Sequence, residues 1–231
     1  IANVIWACAT LQLPREQLKR ILPAITEAAV DKADGMLAQH VSNIIWASAR
    51  LHGRAPELWD IMPAMQEVAA ERSDSMLSQH LANIIWSSGI MQKEAPALLD
   101  VVPVLLQAAK SDGRLQGFTS QELANICWGL ALCGLADQEF MVQVAAIVVR
   151  TSVGWPNRAV CLDLPQILCA FARLGMRHRK MMSVIASRID PLLKQVYPWD
   201  LCALAWSFDE LDSKGGFSAF RQQAWDEVKR R

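Results

Sequence analysis

The stretch "LANIIW", Leu81–Trp86, decides how this chain folds, because the chain writes it four times. "IANVIW" opens at Ile1, "VSNIIW" at Val41 and "LANICW" at Leu123, so the tryptophans are Trp6, Trp46, Trp86 and Trp128, at steps of 40, 40 and 42. Two weaker copies continue the series. "LPQILCAFARLG" from Leu164 puts Cys169 in the tryptophan slot, and "LCALAWSFDEL" from Leu201 puts Trp206 there. A second marker keeps the same phase: Pro23, Pro63 and Pro103 each follow a tryptophan by 17 residues. Two markers in register at a period near 40 are the signature of a repeat array.

Each repeat reads as two helices. The first is clearest in "TSQELANICWGLALCG", Thr119–Gly134. Thr119 with Glu122 three residues on predicts a capping box. Leu123, Ile126, Cys127, Leu130 and Ala131 recur at helical spacing, and Gly134 suits the residue just past a helix end. The second helix is exemplified by "PELWDIMPAMQEVAAE", with Pro56 at its first position. An interior proline costs about 3 kcal/mol and bends a helix. The recurrent prolines therefore predict a bend in every second helix, or its division into two pieces. No segment shows sustained strand alternation. A helix pair this small cannot bury its apolar face alone, but stacked pairs can. The expected fold is all-α: a right-handed α-α superhelix of about six two-helix repeats, at residues 1–36, 37–76, 77–117, 118–159, 160–197 and 198–231. The chain begins inside a repeat, which suggests a fragment of a longer protein. The tryptophans are expected to form a buried ladder, each hiding ~150–250 Å², an upper bound of about 4–6 kcal/mol apiece.

The residues that carry the repeat also carry a resemblance. "SQHLANIIWSS", Ser78–Ser88, and "TSQELANICWGLALCGL", Thr119–Leu135, resemble the "sqdLANtlWALAkLg" signature of octotricopeptide-type repeats, related to the FAST-kinase-like and RAP-associated proteins. "APELW", Ala55–Trp59, partly matches that family's "PPPEW" element, with Ala and Leu replacing two residues. The resemblance covers nearly the whole chain, most strongly in repeats two to four. It implies a mitochondrial or plastid RNA-binding protein acting in transcript processing, stability, translation or ribosome assembly. Its partners would be single-stranded RNA and other ribonucleoprotein subunits.

Asn3, Asn43, Asn83 and Asn125 share one slot, three residues before each tryptophan. A side chain that reads base identity should change from repeat to repeat, whereas one holding fixed geometry should not. The constancy favours a structural asparagine ladder bonded to neighbouring backbone. The rival reading is sequence-independent contact with phosphate or sugar. Better candidates for readout are slots that vary. Four residues after the tryptophan stand Thr10, Arg50, Ile90, Leu132, Arg173 and Glu210. Six before it stand His40, His80 and Glu122.

Charge is uneven behind a formal total of zero. Residues 150–199 hold 8 basic and 2 acidic side chains, net +6, while residues 1–149 hold 10 and 15, net −5. The candidate RNA contacts are Arg158, Arg173, Arg177, Arg179, Lys180 and Arg188, with Arg50, His40 and His80 in earlier repeats. Neutralising about six phosphates there predicts a log K against log salt slope near −4. An acidic protein partner would suit the same residues.

No nucleotide-binding, metalloprotease or nucleophile-elbow motif occurs, so neither an enzyme, a cofactor nor a small-molecule substrate is expected. The six cysteines form no C-x-x-C pair and read as buried thiols. No apolar run approaches the ~18 residues of a membrane span. The alternative function is a protein-interaction scaffold within a ribonucleoprotein or ribosomal assembly, which overall neutrality favours.

Overall fold

The computed structural model describes residues 1–231, apart from the side chain of Asp112. It is all-helical: twelve α-helices joined by turns and short 3-10 segments, with no strand among the described residues. Two units are resolved, Ile1–Arg114 and Leu115–Arg231.

The first unit holds α1 (Ala2–Thr10), α2 (Arg15–Asp31), α3 (Ala38–Arg50), α4 (Met62–Glu71), α5 (Ser78–Ile90) and α6 (Leu98–Lys110). Helix α3 packs between α1 and α5, making one layer of odd-numbered helices. A second layer lies behind it. There α4 packs on α6, and α2 packs on the 3-10 turn Pro56–Leu58. The core between the layers includes Leu18, Leu22, Ile44, Ile85, Met65 and Leu105, all fully buried.

The second unit repeats the plan with α7 (Ser120–Cys133), α8 (Gln138–Thr151), α9 (Asn157–Arg173), α10 (Arg179–Ile189), α11 (Pro198–Leu211) and α12 (Ser218–Arg230). Helix α9 packs between α7 and α11, and α8 packs on α10 behind them. Thr119 caps α7 as the sequence predicts. Its Oγ1 accepts from the Glu122 amide at 3.3 Å, and the Glu122 carboxylate accepts from the Thr119 amide at 2.7 Å. Gly134 closes the helix at φ 67°, a left-handed conformation that glycine adopts without a Cβ penalty.

The fifth repeat, expected from about residue 160, begins its first helix at Asn157, with Pro156 as N-cap and Pro165 carried inside the helix. Three expectations are corrected. Pro56 starts a 3-10 turn and not the second helix, which begins at Met62 with Pro63 in its first turn. Of the two outcomes for the recurrent proline, division occurs in the second repeat, whereas Pro23 and Pro103 lie within continuous helices.

The third correction concerns the tryptophans. Trp46, Trp86, Trp128 and Trp206 are only half-buried, and Trp6 is 43% exposed. Helix α3 has a neighbour on each flank, α1 and α5, and α4 behind. At about 100° per residue, Val41, Ser42, Ile44, Ile45 and Ser48 point to those three sides and are buried. The remaining stripe is Gln39, Asn43, Trp46 and Arg50, and it is the one left open. The core is built by the aliphatic letters of the motif. The indole stands at its margin.

Candidate functional site

The open stripe recurs on every odd-numbered helix. On α5 it reads Gln79, Asn83, Trp86, Ile90; on α7, Gln121, Asn125, Trp128, Leu132; on α11, Trp199, Ala203, Trp206, Glu210; on α9 it reads Leu162, Gln166 and Arg173, with Cys169 in the tryptophan slot buried. Spacings of three and four residues put each set on one helix face. The asparagine slot, the tryptophan slot and the variable slot four residues after it therefore share one surface.

In the first unit this surface forms a groove of about 520 Å³. It is lined by Asn3, Trp6, Ala7, Gln39, Asn43, Gln79, His80 and Asn83, drawn from three successive repeats. None of the side chains of Asn3, Asn43 and Asn83 makes a hydrogen bond among the described residues; only the backbone carbonyl of Asn83 is engaged, by Ser87 Oγ at 2.7 Å. Asn125 is likewise unbonded. The expected asparagine brace is thus absent among the described residues. Gln166, in the same slot of the fifth repeat, does brace: its Nε2 donates to the Ala124 carbonyl at 3.3 Å.

The indoles on this face carry partners of opposite character to a core. The Arg50 guanidinium lies 5.8 Å from the Trp46 ring centroid, and that of Arg173 lies 5.5 Å from Trp128. Both are within the range of a cation–π contact.

His40 and His80 have a structural occupation. The Nδ1 of each accepts from the amide of Leu37 or Leu77 at 3.3 Å, so each histidine stands in for the glutamate of a capping box. Partial burial holds the His80 imidazole below its ordinary pKa, which keeps it neutral at pH 7.

In the second unit the corresponding groove, of about 440 Å³, is different. Thr119, Ser120, Gln121, Asn125, Arg158 and Gln166 share it with two carboxylates, Asp163 and Asp200. Ser120 Oγ donates to Asp163 at 2.6 Å. Burial raises the pKa of both aspartates above the usual range; for Asp163 the Ser120 bond and the charge of Arg158 partly offset it.

The basic residues of the fifth repeat do not gather into one patch. Arg158 and Arg173 stand at opposite ends of α9, about 22 Å apart at 1.5 Å per residue. Arg177 is tied to the turn of the next repeat, donating to Ser213 Oγ at 2.9 Å and lying 3.8 Å from Asp212. Arg179 lies over the same turn, beside Gly216. Lys180 is exposed. Arg188 donates backward to the Trp155 carbonyl at 3.1 Å, in the second layer.

That last bond belongs to a series that the tryptophan and proline markers do not reveal. At the end of successive second-layer segments stand Arg72, Arg114, Arg150, Arg188 and Arg231. Each reaches back to the corresponding turn of the preceding repeat. Arg72 donates to Asp34 O at 3.0 Å, Arg114 to Met76 O, Arg150 to the Gln116 side chain, and Arg231 to Val196 O at 2.6 Å. The repeated brace is this arginine ladder. Its signal in the sequence is one arginine near the end of each repeat from the second to the sixth, a weak cue because the steps vary. Arg114→Ala is expected to lower stability by about 1–3 kcal/mol, since the guanidinium is part-buried and also bonds Ala108 O at 3.0 Å. Arg72→Ala, which loses one exposed bond, should cost under about 1 kcal/mol. Urea unfolding of the two variants checks the order; equal losses would contradict it.

No group of metal-ligating side chains occurs among the described residues, and no described helix is long and apolar enough to cross a membrane. The six cysteines are free. Burial pushes the Cys133 thiol up to about 11 and raises Cys127 further still. No known family model and no curated protein matches the chain.

Proposed function

We propose that this chain is a binding protein of the helical-repeat class, a right-handed α-α superhelical array whose ligand lies along the open stripes of the odd-numbered helices. Its ligand on this reading is single-stranded RNA, as for the octotricopeptide-type repeats that the motif resembles, in transcript metabolism or ribonucleoprotein assembly in a mitochondrion or plastid. The observation that carries the proposal is the first-unit groove, where unbonded amides from three repeats lie beside the exposed indole of Trp6. Exposed bases stack on aromatic faces and hydrogen-bond along their edges. Buried structural ladders do neither.

Phosphate contact falls to the cations on or beside the stripe, namely Arg50, Arg158 and Arg173. Three neutralised phosphates give a log K against log salt slope of about −2, shallower than the −4 expected from the whole basic cluster. Fluorescence anisotropy of the chain with a mixed pool of labelled single-stranded RNA, over a salt series, tests this. Binding with that slope, weakened by Arg158→Glu and Arg173→Glu together, supports the proposal. Absence of binding at low salt overturns it. The second reading, a scaffold for protein partners, is favoured by Asp163 and Asp200 in the second-unit groove, which repel phosphate when ionised and suit a basic or amide-bearing peptide.

A further inference from the structure

We infer that the second layer of the second unit holds a site for a phosphate monoester, at a bay of about 290 Å³ between the turn after α8 and helix α10. The site lies apart from the open stripes and does not rest on the RNA reading. Four polar side chains line it: Ser152 from the turn, and Ser183, Ser187 and Arg188 from α10. The rest of the lining is valine. Two of the polar groups are buried without a partner. Ser152 is wholly buried, and neither its Oγ nor the Nε of Arg188 makes a hydrogen bond among the described residues. Buried polar groups are nearly always paired, so two exceptions at one bay point to a ligand. The Arg188 guanidinium is already fixed in place, because its Nη2 donates to the Trp155 carbonyl at 3.1 Å.

The last repeat shows what such a donor takes. Arg231 holds the corresponding place in the arginine ladder and braces the preceding turn through the Val196 and Leu193 carbonyls. Its Nε donates to the Glu227 carboxylate, four residues earlier, at 2.9 Å. Four residues before Arg188 stands Val184, which lines the bay. The chain thus supplies an oxyanion to one arginine and an aliphatic wall to the other. No carboxylate lines the bay, and Asp190, the acidic residue nearest to Arg188 in sequence, lines a different cavity. An oxyanion brought from outside would meet a positive charge with no fixed negative charge beside it.

The donor set names the oxyanion. A planar carboxylate has two oxygens, which one guanidinium satisfies side by side. Here the guanidinium is joined by hydroxyls from two different elements, a set that surrounds its ligand. A phosphate monoester brings three acceptor oxygens and close to two negative charges. Ser183 and Ser187 lie one turn apart on one face of α10 and are exposed, so the bay opens to solvent there and leaves the ester's organic part outside.

The test is thermal unfolding of the whole chain at fixed ionic strength in methyl phosphate, dimethyl phosphate, acetate or chloride. Methyl phosphate should raise the melting temperature saturably, because it binds the folded chain alone. Ser152→Ala removes a hydroxyl that bonds nothing in the chain, so it should not lower the melting temperature without ligand. It should weaken methyl phosphate about tenfold or more, the loss of one hydrogen bond to a charged group. The double variant Ser183→Ala, Ser187→Ala, at exposed positions, should weaken it as well. No rise with methyl phosphate overturns the inference. So does a rise that persists undiminished in Ser152→Ala, which places the anion elsewhere, or a Ser152→Ala chain that melts lower before any phosphate is added, which assigns the hydroxyl to a structural water. An equal rise with acetate or with dimethyl phosphate also overturns it, in favour of a carboxylate or of a nucleic-acid backbone. RNA binding by Ser152→Ala should match that of the unaltered chain, so the two proposals stand or fall separately.

Discussion

Phe208→Ala should destabilise the second unit by about 3–5 kcal/mol, the cost of removing a fully buried aromatic ring. Phe208 belongs to α11 and meets two rings of the last repeat, Phe217 at 5.3 Å and Phe220 at 4.9 Å, both in edge-on geometry. Such pairs add about 0.5–1.5 kcal/mol each beyond the area they bury. Truncation thus opens a cavity and also loosens α12, the terminal second-layer helix. Urea unfolding followed by far-UV circular dichroism measures the loss. Phe208→Leu, which keeps much of the volume, should recover more than half of it. A loss below about 1 kcal/mol for the alanine variant would be incompatible with the ring cluster.

The second large effect is expected at Asp212, whose side chain is wholly buried at the end of α11. Its two carboxylate oxygens accept from the Gly216 amide at 3.0 Å and the Phe217 amide at 2.8 Å. The carboxylate folds the turn onto itself and delivers Phe217 to Phe208. Asp212→Ala removes both part-buried bonds and should cost about 2–4 kcal/mol, a hydrogen bond to a charged group contributing about 1.5–3 kcal/mol. Asp212→Asn keeps one carbonyl acceptor and should fall between. Arg177→Ala should cost less than either, because Arg177 is exposed and 3.8 Å from the carboxylate. A thermal melt of the three variants gives the ranking. If Arg177→Ala proved as costly as Asp212→Ala, the ion pair and not the amide bonds would hold the turn.

Much of the architecture is legible before any coordinates. The period of 40, the capping box at Thr119 and the glycine at 134 locate the helices and one terminus to the residue. The burial of the tryptophan and the duty of the asparagine are not legible. In α5 nearly every residue from Leu81 to Gly89 is apolar or small, so composition along the helix does not say which side stays open. That depends on how many neighbours the helix acquires. His80 shows the same limit. It occupies a variable slot and invites a functional reading, yet its ring accepts from a backbone amide three residues away. The basic run Arg173–Lys180 is divided in the fold, Arg173 going to Trp128, Arg177 and Arg179 to the turn at Asp212, and Lys180 to solvent.

By itself, then, the chain's periodic spelling determined local matters: two helices per repeat, their approximate limits, and the aliphatic positions that must leave water. These follow from backbone geometry and side-chain chemistry within about one helical turn. Packing decided the rest. Around α3, flanking helices and the second layer covered three sides of the motif and left amide and indole on the fourth, and turns of adjacent repeats came close enough for arginines to bridge them. Solvent exposure and hydrogen-bond partners at those positions depend on atoms some forty residues distant, which no local pattern specifies.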